Sequence, residues 1–464
     1  MKRVLALVGR PNVGKSTLFN RLTKSRDALV ANEPGLTRDR RYGNVKAGQG
    51  DFIVIDTGGI TSDAGIDELI AEQARQAMEE ADAVLFLVDG KDGVTAADEA
   101  IVKKMRKLQK PVYLIINKTE RLDPDLVTAD FYGMGLGQPY PIAAEHGSGV
   151  NELMDFLDTE LPTTAEENEE DDEHNAKVAI VGRPNVGKST LVNRLLGEER
   201  VLAFDMPGTT RDSIFIPFEH NGHPYTLIDT AGVRRRARVF EKIEKFSIIK
   251  ALQAIDSCHV VMFVLDAQAE ISAQDATLLG YVLDEGKALV IAINKWDGLP
   301  QDKREWIKTE FERKLSFVDF ASVHYISALH GSGVGLLMDV VHKAYESSMS
   351  DFPTPILTRI LEDAITSHQP PLIHGRRIKL RYAHQGGKNP PVIVVHGNQT
   401  TRVPESYTRY LINIFRKVLK IKGTPLRVVY KGSDNPYKEK RVKLTPLQEF
   451  KQKKQVKRYG KKKK

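Results

Sequence analysis

Short apolar runs alternate with helical stretches through roughly the first three quarters of the chain. Apolar runs of strand length between helices are typical of a parallel sheet with helices on both faces. The expected strands are Val4–Val8, Phe52–Asp56, Ala83–Asp89, Val112–Asn117 and Tyr140–Ala144, and then Val178–Val181, Tyr225–Asp229, Val260–Asp266, Ala288–Asn294 and Val323–Ala328. The pattern predicts two α/β domains with doubly wound, mostly parallel sheets.

The pattern changes from about Phe352. It predicts, in order, a helix, two strands, an amphipathic helix and a last strand, at Ile356–Thr366, Arg377–Ala383, Val392–His396, Ser406–Ile421 and Leu426–Tyr430. This order is expected to form a compact α+β domain. We therefore expect α/β domains at 1–162 and 177–350, an acidic linker at 163–176, an α+β domain at 351–440 and a basic tail at 441–464.

One nonamer, GRPNVGKST, occurs at Gly9–Thr17 and again at Gly182–Thr190, each time directly after an apolar run. Both copies fit the phosphate-loop pattern G-x-x-x-x-G-K-[ST]. Its glycines let the backbone wrap closely around a phosphate, so that successive N–H groups and the positive end of the next helix face the anion. The chain is therefore predicted to bind nucleoside triphosphates at two sites.

Three further motifs recur in the same order in both halves, which indicates a duplicated domain. The first two pairs keep the spacing of the phosphate loops, and the third pair lies slightly further apart. The pairs are Pro34–Asp39 with Pro207–Asp212, Asp56–Gly59 with Asp229–Gly232, and Asn117–Glu120 with Asn294–Asp297.

Position along these motifs predicts a role for each residue. The loop lysines are expected to neutralise β- and γ-phosphate oxygens, and the loop serines to ligate Mg²⁺. The threonines of the second motif are expected to contact the metal and γ-phosphate, the aspartates to orient a Mg²⁺-bound water, and the last glycines to donate an N–H to the γ-phosphate. In that order the residues are Lys15 and Lys188, Ser16 and Ser189, Thr37 and Thr210, Asp56 and Asp229, and Gly59 and Gly232.

The choice of base follows from Asn294-Lys295-Trp296-Asp297. An aspartate can accept hydrogen bonds from N1–H and the exocyclic amine of guanine, a donor pair that adenine lacks. The backbone N–H near Ser327 and Ala328 is expected to meet the guanine O6. The first copy departs from this pattern, because Glu120 replaces the aspartate and Ala143-Ala144 lacks the serine. We expect it to bind guanine nucleotides more weakly or less selectively.

The predicted nucleotide-binding set covers both copies. In the first copy it comprises Gly9, Arg10, Pro11, Asn12, Val13, Gly14, Lys15, Ser16, Thr17, Asp56, Thr57, Gly58, Gly59, Asn117, Lys118, Glu120, Ala143 and Ala144. In the second it comprises Gly182, Arg183, Pro184, Asn185, Val186, Gly187, Lys188, Ser189, Thr190, Asp229, Thr230, Ala231, Gly232, Asn294, Lys295, Asp297, Ser327 and Ala328.

Charge is unevenly distributed along the chain, whose formal net charge is +7. The run Glu166–Glu173 is nearly all acidic, whereas Lys451–Lys464 is mostly lysine and arginine. A basic C-terminal third favours a polyanionic partner such as RNA, although a solvated tail would give the same composition. The only cysteine is Cys258, which rules out an internal disulfide and fits a cytoplasmic protein without a membrane partner.

Taken together, these motifs resemble those of the EngA family, also called Der, of bacterial GTPases with two tandem G domains and a KH-like C-terminal domain. The resemblance rests on the paired GRPNVGKST tracts, PGLTRD and PGTTRD, DTGG and DTAGVRRR, NKWD and the acidic joint. It implies GTP hydrolysis with GTP/GDP and Mg²⁺, a monomer, and a role in assembly of the large (50S) ribosomal subunit with rRNA and ribosomal proteins as partners. KH modules commonly carry a G-x-x-G loop, and 352–440 contains none.

The catalytic machinery is expected to differ from that of Ras-like proteins, because Ile60 and Val233 stand where a water-orienting glutamine would lie. In a related class of GTPases, the residue at the position of Asn12 and Asn185 ligates a stimulating K⁺; alternatively, both asparagines cap the loop by hydrogen bonding. Unaided turnover is expected to be slow. Two other functions stay open: a GTP-dependent tRNA-modifying factor, and a scaffold that binds GTP but barely hydrolyses it.

Overall fold

The computed structural model describes residues 2–24, 29–31, 40–47, 51–57, 75–106, 110–161, 175–197, 201–203, 215–228, 248–373 and 376–432. The chain forms two compact units. The first comprises 1–350 with the short segments Lys388–Pro391 and Lys420–Leu426, and the second comprises Asp351–Gly387, Val392–Leu419 and the chain from Arg427 onward. None of the described helices has the length and apolar character needed to cross a bilayer.

The first half of the first unit is built on a seven-stranded sheet in the order β2-β3-β4-β1-β5-β6-β7. Pairing is parallel from β4 to β7, and β2 and β3 add antiparallel edge strands. The strands are β1 Arg3–Gly9, β2 Leu29–Ala31, β3 Arg40–Asn44, β4 Phe52–Asp56, β5 Ala83–Asp89, β6 Val112–Asn117 and β7 Tyr140–Pro141. The helices are α1 Lys15–Thr23, α2 Ala96–Met105, α3 Pro124–Phe131 and α4 Val150–Glu160, with a 3₁₀ turn at Tyr132–Met134.

The second half of that unit repeats the arrangement in a sheet of order β14-β13-β12-β8-β11-β10-β9. Its strands are β8 Ala176–Val181, β9 Val201–Ala203, β10 Phe215–His220, β11 His223–Ile228, β12 Val260–Asp266, β13 Ala288–Asn294 and β14 Ser322–Tyr325. Its helices are α5 Lys188–Leu196, α6 Ile248–Ser257, α7 Ala273–Glu285, α8 Gln301–Lys314 and α9 Leu337–Met349, with a 3₁₀ turn at Ser316–Val318. The predicted doubly wound, mostly parallel fold is confirmed in both halves.

Burial explains why the central strands are apolar at every position instead of alternating. All seven residues of β1, of β5 and of β13 are buried, because helices cover both faces of a parallel sheet. The strand ends were less predictable: β7 stops at Pro141 and β14 at Tyr325, short of the expected Ala144 and Ala328.

The second unit contains the predicted order of helix, two strands, helix and strand. Its main sheet has the order β17-β18-β19, with β17 Lys379–Gly387 antiparallel and β19 Arg427–Gly432 parallel to β18 Val392–Asn398. Its helices are α10 Thr354–Ser367 and α11 Glu405–Leu419, with a 3₁₀ turn at Thr400–Arg402. The expected strand Arg377–Ala383 is divided, because Arg376–Arg377 (β16) pairs instead with Leu372–Ile373 (β15).

The two halves of the first unit contact each other through polar groups. Lys2 Nζ lies 2.7 Å from an Asp256 carboxylate oxygen and 3.2 Å from a Glu285 carboxylate oxygen. The Tyr281 hydroxyl donates a 2.8 Å hydrogen bond to the Asn44 side-chain oxygen. Burial raises the pKa of Tyr281 well above its ordinary value. Helices α6 and α7 of the second half therefore carry the residues that contact Lys2, just before β1, and Asn44 of β3.

The domain limits predicted from the sequence stay predictions. Strand β8 begins at Ala176, one residue inside the expected linker 163–176. Most of that linker and the whole tail 441–464 lie outside the described residues.

Candidate functional site

Each phosphate loop joins the first strand of a half to the helix that follows. Gly14 and Gly187, at the starts of α1 and α5, have φ of 97° and 96°, a left-handed conformation that favours glycine. A Cβ at either glycine would also lie within 2.2 or 2.3 Å of an asparagine nitrogen. The loop backbone therefore requires glycine for its conformation and for close packing.

The loop lysines fold back over their own loops. Lys15 Nζ lies 2.8 Å from the carbonyl oxygen of Gly9 and 2.6 Å from that of Arg10. Lys188 Nζ lies 2.9 and 2.7 Å from the corresponding carbonyls of Gly182 and Arg183. Both ammonium groups therefore stand inside the turn that would surround a phosphate.

Burial changes the charge balance of the first of these lysines. It lowers the pKa of Lys15 to about 8, with the Arg10 charge acting in the same direction and Asp56 opposing it. A phosphate beside the ammonium would favour the protonated form, because an opposite charge stabilises it.

A hard-oxygen pair suited to Mg²⁺ lies at the start of α1. Ser16 Oγ donates a 2.8 Å hydrogen bond to Asp56, and the Thr57 hydroxyl donates one of 2.8 Å to the Leu7 carbonyl. Mg²⁺ prefers oxygen ligands and keeps several waters, so a hydroxyl and a carboxylate on one side fit such an ion. In the second copy Ser189 holds the matching position at the start of α5.

One asparagine in each half connects the phosphate loop to the base-recognition loop. Asn117 Nδ2 donates a 2.8 Å hydrogen bond to the Val13 carbonyl, and its Oδ1 accepts one of 2.9 Å from the Ala144 N–H. Both atoms are buried in these contacts. The side chain therefore fixes the distance between two loops that are far apart in sequence.

The second copy repeats this asparagine brace. Asn294 Nδ2 donates to the Val186 carbonyl at 2.8 Å, and its Oδ1 accepts from the Ala328 N–H at 2.8 Å. The next residue is also alike in the two copies. Lys118 and Lys295 have φ of 63° and 61°, and each lies 2.6 Å from an aspartate at the end of the neighbouring strand.

The carboxylates that would read guanine have different partners in the two copies. Lys91 Nζ lies 2.5 Å from a Glu120 carboxylate oxygen, and this contact lowers the pKa of Glu120. Asp297 instead accepts a hydrogen bond from Ser327, which lowers its pKa, and lies 3.2 Å from His330. In the first copy, a guanine that bound to Glu120 would therefore have to displace Lys91 from that carboxylate.

Sequence reasoning missed two buried aspartates beneath the loops. Asp98 and Asp275 are fully buried, and each lies 2.9 Å from the loop arginine of its half, Arg10 or Arg183. Both also form capping boxes at the starts of α2 and α7. The sequence did contain a local signal for these aspartates. Each stands three residues after a threonine or serine at the start of a helix, which is a helix-capping pattern.

The structure places most of the predicted site residues at the carboxyl ends of the parallel strands, where open α/β sheets bind ligands. Within each copy, an asparagine joins the phosphate loop to the base-recognition loop. In the first copy, Ser16 of the phosphate loop also contacts Asp56, and Thr57 follows it in the chain. The predicted residues outside the described part are Thr37, Gly58, Gly59, Thr210, Asp229, Thr230, Ala231 and Gly232, as are Ile60 and Val233.

Comparison with known proteins covers the whole chain. A family model described as a 50S ribosome-binding GTPase matches residues 4–118 and 177–295, and one described as the C-terminal KH-domain-like region of EngA bacterial GTPase enzymes matches 352–431. The chain is 58% identical to GTPase Der of Thioalkalivibrio sulfidiphilus over 100% of both chains. It is 57% identical to GTPase Der of Marinobacter nauticus, covering 97% of this chain and 96% of that one.

Among solved structures, the chain is similar to Era in complex with MgGDPNP and a segment of 16S ribosomal RNA. The identity is 28%, the TM-score is 0.32, and the match covers 45% of this chain and 74% of that one.

Replacing Lys91 by glutamine, the residue at the matching position 268, is expected to tighten GDP binding at the first site about two- to fivefold. The reason is that Glu120 would no longer be paired with a cation. Titration calorimetry in a Lys188→Ala background, which isolates the first site, measures the change. Lys103→Gln, an exposed position on α2, is the matched control.

The same titrations compare the two sites directly. With Lys15→Ala isolating the second site, GDP should bind there more tightly, or with a larger preference over inosine diphosphate, than at the first. Equal affinities and equal preferences at the two sites would refute the predicted difference.

Proposed function

The chain belongs to the Der (EngA) family of GTPases, and we propose that it acts in the cytoplasm as a GTP-driven switch in assembly of the large ribosomal subunit. The observation that carries the proposal is the presence of two phosphate loops, each braced by an asparagine to its own base-recognition loop. The description of the family as ribosome-binding supports the choice of partner. As a GTPase, the chain hydrolyses GTP to GDP and phosphate.

In this proposal the described residues have distinct tasks. Lys15 and Lys188 neutralise the β- and γ-phosphates, and Ser16 and Ser189 ligate Mg²⁺. Asp297 reads the N1–H and amine of guanine. The geometry of Lys15, held 2.8 Å from a loop carbonyl, supports the first of these tasks, since a phosphate would compete for the same ammonium.

The remaining tasks fall on the residues predicted from the sequence outside the described part. Thr37 and Thr210 are proposed to contact Mg²⁺ and the γ-phosphate, and Gly59 and Gly232 to donate an N–H to the γ-phosphate. Asp229 is proposed to repeat the role of Asp56 beside the metal. Loops that contact the γ-phosphate become ordered when triphosphate is bound, and they lose that contact after hydrolysis.

We further propose that K⁺ assists hydrolysis at Asn12 and Asn185. Both asparagines have positive φ, 64° and 62°, and exposed side chains. Exposed amide oxygens at these two positions are accessible to a cation, which supports a ligand role. A monovalent cation there would stabilise charge that develops on the phosphates.

The domain limits proposed are 1–162, 177–350 and 351–440, joined by the linker 163–176 and followed by the tail 441–464. We propose that the protein acts as a monomer, with its two nucleotide sites carried in one chain.

Exchanging K⁺ for Na⁺ at equal ionic strength is expected to slow steady-state GTP hydrolysis about tenfold or more, because one charge-stabilising ligand is lost. Asn12→Ala with Asn185→Ala should remove the difference between the two salts. Asn20→Ala, an exposed position on α1, serves as the control and should leave the K⁺ effect intact. Equal rates in K⁺ and Na⁺ for the unchanged protein would exclude the K⁺ role.

Co-sedimentation with ribosomal subunits in K⁺ buffer tests the proposed function itself. We expect selective binding to the large subunit with non-hydrolysable GTP and weaker binding with GDP, since the switch loops respond to the γ-phosphate. A protein with Lys15→Ala and Lys188→Ala together should lose the nucleotide dependence. Binding that is absent or identical in both nucleotide states would favour the tRNA-modifying or scaffold alternatives.

A further inference from the structure

The three-stranded sheet of the second unit has one face against helices and one face without a helix. Tyr430 on β19 contacts Thr408 of α11 through their hydroxyls at 3.0 Å, so the residues on its side of the sheet face the helices. Its cross-strand partner Val395, together with Ile393, is fully buried. Because side chains alternate along a strand, Val394, His396, Val429 and Lys431 lie on the opposite face.

Aromatic rings form a strip along that opposite face. Tyr382 is paired with His396 across β17 and β18, and their rings stack with centroids 4.4 Å apart and planes 5° apart. The His384 ring stacks on His396 at 5.0 Å. Tyr382 is 43% exposed and Val429 on the neighbouring strand is 44% exposed. We call Tyr382, His384 and His396 the aromatic strip.

His396, which stacks between the other two rings of the strip, favours its neutral form. Burial lowers the pKa of His396, and the nearby charges of His384 and Lys431 act in the same direction. Its Nε2 is buried and makes no hydrogen bond within the described part of the chain. A neutral imidazole stacked on a phenol ring is a flat π surface, which suits a flat, neutral ligand better than an anion.

The strands that carry the aromatic strip have basic side chains, whereas acidic side chains lie on the two helices. Strands β17 to β19 carry no aspartate or glutamate, and their lysines and arginines are all exposed: Lys379, Arg381, Arg427 and Lys431. The acidic residues on the two helices, Glu362, Asp363 and Glu405, are exposed on the helical layer instead. The sheet therefore combines stacking surface with positive charge, which matches unpaired bases joined by phosphates.

We propose that the aromatic strip binds single-stranded RNA, with a base stacked on Tyr382 and phosphates held by the cations at its edges. Unpaired bases have free π faces, whereas the bases of a duplex are already stacked on each other. The stretch 352–440 contains no G-x-x-G loop, so the proposed contact is the sheet and not a clamp of the usual KH type. The inference deepens the proposed ribosomal role and rests on it for the source of the RNA.

Binding of a fluorescein-labelled oligouridine of about twelve nucleotides to the full-length, GDP-loaded protein tests the strip by fluorescence anisotropy. Tyr382→Ala should weaken binding about fivefold or more, because a base loses its stacking partner. Tyr382→Phe keeps the ring and should bind as the unchanged protein does. Tyr132→Ala, an exposed tyrosine of the first unit, is the matched control and should have no effect.

The charge component is tested in the same assay over a series of KCl concentrations. Lys431→Glu should weaken binding. It should also make the negative slope of log affinity against log salt shallower by about one. Lys417→Glu makes the same charge change at an exposed position on the helical layer and should change neither quantity as much. Circular dichroism and GTP hydrolysis should be unchanged in all five variants, which separates a binding defect from misfolding.

Photo-crosslinking with a bromouridine-substituted oligomer locates the contact, and the peptide containing Tyr382 is the expected product. The proposal is overturned if Tyr382→Ala binds oligouridine as well as the unchanged protein, if crosslinks map only to 441–464, or if a duplex of equal length binds as tightly. Failure of subunit co-sedimentation with intact oligouridine binding would reject the ribosomal role but not the strip. Loss of oligouridine binding in Tyr382→Ala with unchanged subunit binding would place the RNA contact outside the ribosomal complex.

Discussion

A single buried asparagine in each half sets the geometry on which nucleotide binding depends. Asn117 and Asn294 each donate to a phosphate-loop carbonyl at 2.8 Å and accept from the N–H of Ala144 or Ala328. Because the amide group is buried, both of its hydrogen bonds are costly to lose. The glycine before each helix must also lack a Cβ, since the amide occupies that space. The phosphate loop and the base-recognition loop are thus joined through one side chain.

Both halves contain this buried asparagine, but the carboxylates of their base-recognition loops have different partners. Glu120 is paired with Lys91, whereas Asp297 has Ser327 and His330 as partners. Helix α7 adds a physical connection between the halves. Its first turn carries Asp275 beneath the second phosphate loop, and its last turns contact Lys2, just before β1, and Asn44 of β3 in the first half. The two halves are therefore joined by a packed element as well as related by repeated motifs.

Much of the fold and of the candidate site could be predicted from the sequence because the signals were local. The phosphate loops follow from a nonamer whose glycines and lysine have fixed tasks, and the central strands from runs that are apolar at every position. The antiparallel edge strands β2, β3, β9 and β10 were not predicted. Strands β2 and β9 are apolar but only three residues long, which is too short to set a recognisable pattern. The asparagine brace and the Arg10–Asp98 pair join residues far apart in sequence, which no local pattern reveals.

Nucleotide affinity of the Asn294→Ala protein tests this account most directly. In a Lys15→Ala background that isolates the second site, GDP and inosine diphosphate should both lose affinity by the same factor, about tenfold or more, since a shared scaffold is loosened. Asp297→Ala should instead remove only the preference for GDP. A selective loss of GDP binding in Asn294→Ala, or no loss at all, would contradict the claim that the asparagine acts by bracing both loops.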